Sequence, residues 1–174
     1  MYPLSILFQT SEPWVLKALD SFEVFLEHLL ITLLSRKDFK LLTLDGDKMQ
    51  TTSDFYDELI RGLNLPNYFG KNLNALDECL CDLEWLHGIG FILLIRNGQN
   101  VLRLETPEKL EGFLDILKTA GNEWSLPVAD KAIWDRPSRP FHTIFQCDDY
   151  NWRDEIPIVQ KIELDTPTKA RGVQ

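Results

Sequence analysis

Apolar and polar positions alternate in blocks through the middle of the chain and predict three strands. Lys40–Leu44 (KLLTL) is a short apolar run that ends at an Asp-Gly turn, and Phe91–Ile95 (FILLI) is a second one that ends at Asn97-Gly98. Short apolar runs bounded by turn residues are typical of buried strands. Phe141–Phe145 (FHTIF) alternates between apolar and polar residues and predicts the third strand.

The segments between these strands have apolar residues at helical spacing and predict helices. Residues 51–54 supply hydroxyl caps and an acid, and Leu65-Pro66 closes the helix that follows, because a residue before proline avoids the helical conformation. Asn72 is a plausible N-cap for a second helix that we expect to run to about Leu86. Thr106-Pro107 starts a third helix, with proline at its first position. Strands joined by helical crossovers predict an α/β domain with a parallel sheet.

The flanking regions give weaker signals. Ser21–Ser35 is amphipathic, and we expect it to form a helix that packs on the core or on another subunit. Trp124–Pro140, with three prolines and two tryptophans, predicts an ordered loop. Ile156–Leu164 predicts a strand, and the last ten residues, DTPTKARGVQ, are expected to be loose. The predicted division is an N-terminal extension (1–39), a central domain (40–147) and a C-terminal extension (148–174).

The net charge of −9 is concentrated in one part of the chain. Residues 41–90 hold three basic and nine acidic residues. Such a surface repels nucleic acid and attracts basic proteins, although acidity also simply aids solubility. Three cysteines are too few for a secreted disulfide framework and favour reduced thiols in the cytoplasm. The most apolar run, Phe22–Leu34, is too short and too charged to span a membrane.

The helix after Asn72 has two distinct faces. At about 100° per residue, the leucines fall on one stripe and the polar residues on the other. The first stripe predicts the core contact: Leu73, Leu76, Leu80 and Leu83. The second predicts an outer face, with Asp77 at its margin: Asn74, Glu78, Asp82 and Trp85. From periodicity alone, an ordinary solvated surface is the better explanation of that outer face.

The run LPNYFGKNLNALDECL, from Leu65 to Leu80, resembles the barstar family of ribonuclease inhibitors without a gap. The resemblance covers about residues 40–147. It implies an α/β barstar-like three-layer fold, with a three-stranded parallel sheet flanked by helices, plus the two extensions. In this family the second helix and the loop before it enter the active site of a ribonuclease, where an acid meets the basic groups that would hold RNA phosphate.

The resemblance implies a non-catalytic, bacterial antitoxin or immunity protein whose partner is a basic protein, a ribonuclease toxin. The central acid falls on Glu78, which is Asp in the family, whereas an acidic position is Asn74 here and a tryptophan position is Asp77. We do not expect nucleic-acid or membrane binding, a cofactor or a metal, and the oligomeric state is left open. The expected partner-binding residues are Tyr68, Phe69, Gly70, Asn72, Asn74, Asp77, Glu78 and Asp82.

Some residues are also compatible with other functions. A nucleophile could be built from Cys79 or Cys147 with His142 and Asp148, but nothing in the sequence brings these residues together. Glu78 and Asp82 are four residues apart and could act as paired carboxylates, although no catalytic signature accompanies them. A further alternative keeps the fold but makes the chain a protein-interaction or regulatory module, with the two extensions as its working surfaces.

Overall fold

The computed structural model describes residues 1–83, 85–130, 134–149 and 151–160. These residues form an α/β protein in which helices cover both faces of a parallel sheet. The helices are α1 (Phe22–Leu33), α2 (Thr52–Leu63), α3 (Leu73–Asp82) and α4 (Pro107–Ser125). The strands are β1 (Tyr2–Pro3), β2 (Val15–Ala18), β3 (Phe39–Asp45), β4 (Gly90–Arg96), β5 (Val128–Asp130), β6 (Trp134–Arg136), β7 (Phe141–Gln146) and β8 (Val159–Gln160).

The main sheet of the described chain has four parallel strands in the order β2-β7-β4-β3. The three predicted strands are β3, β4 and β7. The expected count of three was one too low, because β2 from the N-terminal region adds to the edge at β7, with Val15 beside Thr143. Four residues are too few to show a period, so nothing local marks β2 as a strand.

Strand order explains why there are three layers. The steps β3 to β4 and β4 to β7 run in one direction across the sheet, so right-handed crossovers place α2, α3 and α4 on the same face. The step from β2 to β3 runs the other way, and α1 therefore covers the opposite face. The buried residues of β4 agree, since Leu93 packs with α2, α3 and α4 whereas Ile92 and Leu94 pack with α1.

The segment between α4 and β7 differs from the predicted loop. α4 continues to Ser125, and beyond it β5 pairs with β6 in antiparallel orientation. Residues 131–133 of the predicted loop lie outside the described residues. Trp124 explains the longer helix, because its indole Nε1 donates to the Leu80 carbonyl at 2.7 Å and is buried beneath α3. Arg136 of β6 lies over the Trp124 ring, 4.0 Å from its centroid.

The end of α3 also differs from prediction. The helix stops at Asp82, not near Leu86, because Leu83 adopts a left-handed conformation (φ 45°, ψ 31°) and its N–H donates to the Cys79 carbonyl. Trp85 therefore lies beyond the helix rather than on its outer face. Its Nε1 donates to the Leu63 carbonyl at the end of α2, at 3.0 Å, and this long-range bond has no local signal in the sequence.

The two ends of the described chain meet beside the main sheet. β8 pairs with β1, and the buried Lys17 donates from Nζ to the Trp152 and Arg153 carbonyls at 2.9 and 3.3 Å. The strand predicted over 156–164 is observed at Val159–Gln160. Residues 161–164 and the last ten residues lie outside the described part, and the three-part domain division stays a prediction. No helix among the described residues is long and apolar enough to cross a membrane.

Candidate functional site

The two adjacent aromatic residues before α3 point in different directions. A turn closed by the Phe69 N–H and the Pro66 carbonyl at 2.9 Å carries both of them. Phe69 is only 8 % exposed and packs against Tyr56, with ring centroids 5.9 Å apart. Tyr68 is 81 % exposed. Phe69 therefore anchors the loop in the core, and Tyr68 is the ring that a partner could reach.

Asn72 joins this loop to α3, as predicted. Its Oδ1 accepts from the Ala75 N–H at 2.9 Å, and its Nδ2 donates to the Gly70 carbonyl at 3.1 Å. A Cβ at residue 70 would lie 3.0 Å from that Nδ2, which suits glycine at this position. Lys71 is left-handed (φ 45°) and pairs with Asp57 of α2 at 2.7 Å. These contacts hold the end of the loop that joins α3.

The outer stripe of α3 is confirmed for its three helical members, Asn74, Glu78 and Asp82, all of which are exposed. They recur every fourth residue and so stand in one row along the helix. Asp77 is half-buried at the margin of the row, and its carboxylate accepts from the Cys81 thiol, with Sγ 4.0 Å away. We call Tyr68, Asn74, Glu78 and Asp82 the α3 surface.

Core packing holds the α3 surface in place. Leu76, Leu80 and Leu83 are buried as predicted, and Leu73 is half-buried. A Cβ on Gly112 of α4 would lie 3.1 Å from the Leu73 side chain, so the two helices are in close contact. Sequence reasoning missed Trp124 as a support for α3, although it continues the helical spacing of Leu117 and Ala120.

The carboxylates of α3 act electrostatically on the thiols around them. Burial raises the pKa of Cys79, and the nearby charges of Asp82 and Glu78 raise it further. The pKa of Cys81 is raised to about 11 by burial, Asp77 and Glu123, against an opposing effect of Arg136. Both thiols are therefore protonated and uncharged at neutral pH. The negative charge on this part of α3 comes from its carboxylates.

The histidine and the aspartate considered for nucleophilic catalysis have other hydrogen-bond partners. The ring nitrogens of His142 face the Pro13 and Gln9 carbonyls at 3.0 and 2.8 Å, and burial lowers its pKa against the effect of those two contacts. Burial raises the pKa of Cys147 to about 12, with Lys17 opposing. Asp148 accepts from Gln146. Within the described ranges, no group of three or more His, Cys, Asp or Glu side chains is placed to hold a metal ion.

A family-model match covers the central part of this fold. Residues 39–146 match the family model of barstar, the barnase inhibitor. The chain belongs to the barstar family. The match begins at β3 and ends with β7, so it contains α3 and its loop, whereas β2 and α1 precede it. Membership supports an inhibitory role over a catalytic one, and it implies a ribonuclease as the partner.

Proposed function

We propose that this chain inhibits a ribonuclease by inserting the α3 surface and its loop into a basic active site. The observation that carries the proposal is the exposed row on α3, a helix that the core holds in place. The exposed Tyr68 lies on the loop before it. Family membership makes a nuclease the expected partner. The chain would act without a cofactor, as a bacterial antitoxin or immunity protein in the cytoplasm.

Each predicted contact has a distinct part in this proposal. Glu78 and Asp82 would meet the cations that otherwise hold RNA phosphate, since an acid on a rigid support competes well for such groups. Tyr68 would supply a flat apolar contact with a polar tip. Asp77 would contribute charge from the margin. Gly70, Asn72 and Phe69 would act by fixing the loop rather than by offering large contact surfaces.

The acidic surface would also direct encounter with the partner. Opposite charge speeds association, and salt screens this effect over about 8 Å at physiological ionic strength. Like charge would keep RNA away, so the chain would bind the nuclease and not its substrate. The neutral Asn74, at a family acid position, suits a cognate nuclease that differs from barnase.

The test is RNA cleavage by a panel of microbial ribonucleases, including barnase, with and without this protein. We expect stoichiometric inhibition of at least one member. Glu78→Ala and Tyr68→Ala should each weaken it by about 2 kcal/mol or more, equivalent to roughly thirty-fold. Glu27→Ala is the matched control, because Glu27 is an exposed glutamate of α1 on the opposite face. No inhibition by the folded protein, or equal loss in the control, would contradict the proposal.

A second candidate is an interaction or regulatory module that does not inhibit a nuclease. It is favoured by two exposed leucines, Leu30 of α1 and Leu34 at its C-cap, which the family match does not include. Under this alternative Glu78→Ala leaves the chain's function intact, whereas Leu34→Glu at the end of α1 abolishes it. The same inhibition assay, run beside a partner-binding assay on the α1 variant, separates the two functions.

A further inference from the structure

The outward side of α1 is apolar where a surface helix is ordinarily polar. Its inward side is complete, since Phe25 and Leu29 are fully buried against the sheet. The outward side is half-buried at Leu26 and exposed at the other apolar positions, and these side chains line a shallow groove with two glutamates. The groove is formed by Glu23, Leu26, Glu27, Leu30, Ile31 and Leu34.

Charge changes sign from the start of α1 to the segment that follows it. Glu23 and Glu27 lie in the first half of α1, and Arg36 and Lys37 follow its last turn. All four side chains are exposed. The Arg36 guanidinium lies over the Phe8 ring, 4.0 Å from its centroid. The first half of α1 is therefore acidic, the middle of its outward side is apolar, and the segment just after it is basic.

We infer that this surface, the α1 groove, binds a second copy of the chain, with the two α1 helices antiparallel. A two-fold axis at Leu30 places each Leu30 against its own copy and Leu26 against Leu34 of the second copy. It also places the acidic end of each helix beside the basic end of the other, with Glu23 opposite Lys37.

Self-complementarity is the argument for a second copy over other occupants. A two-fold contact requires one surface to match itself in reverse, and the order acidic, apolar, basic does so. A different protein would not require that order, and an anionic lipid surface would be repelled by Glu23 and Glu27.

The expected dimer is weak and leaves the α3 surface free. A helix of 12 residues is about 18 Å long, so its face is smaller than the roughly 800 Å² per partner of a standard interface. We therefore expect a dissociation constant of about 10–100 µM. Because α1 and α3 lie on opposite faces of the sheet, each copy keeps its α3 surface accessible.

Sedimentation velocity of the full chain from about 1 to 500 µM tests this inference. The wild type should shift from monomer to dimer, and Leu34→Glu should raise the dissociation constant at least about a hundred-fold, because it places a carboxylate in the apolar contact. Leu104→Glu is the matched control, since Leu104 is 66 % exposed and Leu34 is 73 % exposed; it should leave the dimer intact. A monomer at every concentration, or a dimer unaffected by Leu34→Glu, would overturn the inference.

Charge exchange tests the antiparallel arrangement. Glu23→Lys and Lys37→Glu should each weaken the dimer, by roughly three- to ten-fold for one exposed pair in each symmetric half. The double variant recreates both pairs with reversed sign and should restore the wild-type constant. If the double variant is as weak as either single variant, the helices do not pair in this way.

Discussion

α1 and α3 lie on opposite faces of one sheet and use their outward sides differently. Each is about three turns long, begins at a polar N-cap and buries apolar residues against the sheet. The outward row of α3 is amide and carboxylate, whereas that of α1 is mainly leucine and isoleucine. Because folding requires only the inward sides, we propose that the outward sides are suited to partners: a basic protein for α3 and a second copy of the chain for α1.

Two double charge reversals, one on α3 and one on α1, change the net charge by the same amount. They should distinguish the roles of the two surfaces most clearly. Glu78→Lys with Asp82→Lys should lower the association rate with an inhibited nuclease at least about ten-fold and its affinity at least about a hundred-fold. Glu23→Lys with Glu27→Lys changes the net charge equally on α1 and should leave both values within about two-fold. Stopped-flow association at low and high salt measures this. Equal effects of the two pairs would mean that total charge, and not the α3 surface, guides binding.

Truncating a buried, inward leucine should lower the stability of the fold far more than truncating an exposed, outward one. Leu76→Ala removes a fully buried side chain of α3 and should lower the free energy of unfolding by about 2–5 kcal/mol. Leu30→Ala on α1 removes a half-exposed side chain and should cost about 0.5 kcal/mol or less. Urea unfolding at a concentration below that of dimer formation gives both values. A large loss at Leu30 would show that the α1 groove belongs to the core of the monomer.

The N-caps of α3 and α1 differ in the length and number of their hydrogen bonds. They should therefore contribute differently to the free energy of unfolding. Asn72 accepts from Ala75 at 2.9 Å and also bonds to Gly70, whereas Ser21 accepts from Val24 at 3.4 Å. Asn72→Ala should therefore cost about 1 kcal/mol, and Ser21→Ala about half of that or less, since long hydrogen bonds are weak. Thermal or urea unfolding compares them. Asn72→Ala should also weaken inhibition by loosening the loop, and Ser21→Ala should not.

Acid should weaken the α3 side of the sheet through Glu105. The carboxylate of Glu105 accepts from Lys109 and from the Thr52 N–H and hydroxyl, and these bonds lower its pKa from 4.5 to about 2. Its contribution is present above pH 4.5 and is lost as the pH falls towards 2. The stability difference between the wild type and Glu105→Gln should shrink over that interval, as followed by urea unfolding. A stability difference that stays constant over that interval would contradict this role of Glu105.

Local pattern predicted most of the central domain. β3, β4, β7 and the starts of α2, α3 and α4 follow from apolar spacing, caps and turn residues, which depend on near neighbours only. The row Asn74, Glu78 and Asp82 was also predictable, because the four leucines of the core stripe determine the phase of the helix. Their role in binding stays a prediction, as does that of Tyr68.

Tertiary structure decided the features that depend on distant partners. The turn alone does not say which of the two rings is buried; Phe69 is buried because Tyr56 lies beneath it. α3 ends at Asp82 while Trp85 bonds to Leu63, and α4 extends to Ser125 while Trp124 bonds to Leu80. β2 is a strand only because β7 offers it an open edge. Periodicity records which way a side chain faces along its own element, and these contacts join residues far apart in the chain, so only the folded structure specifies them.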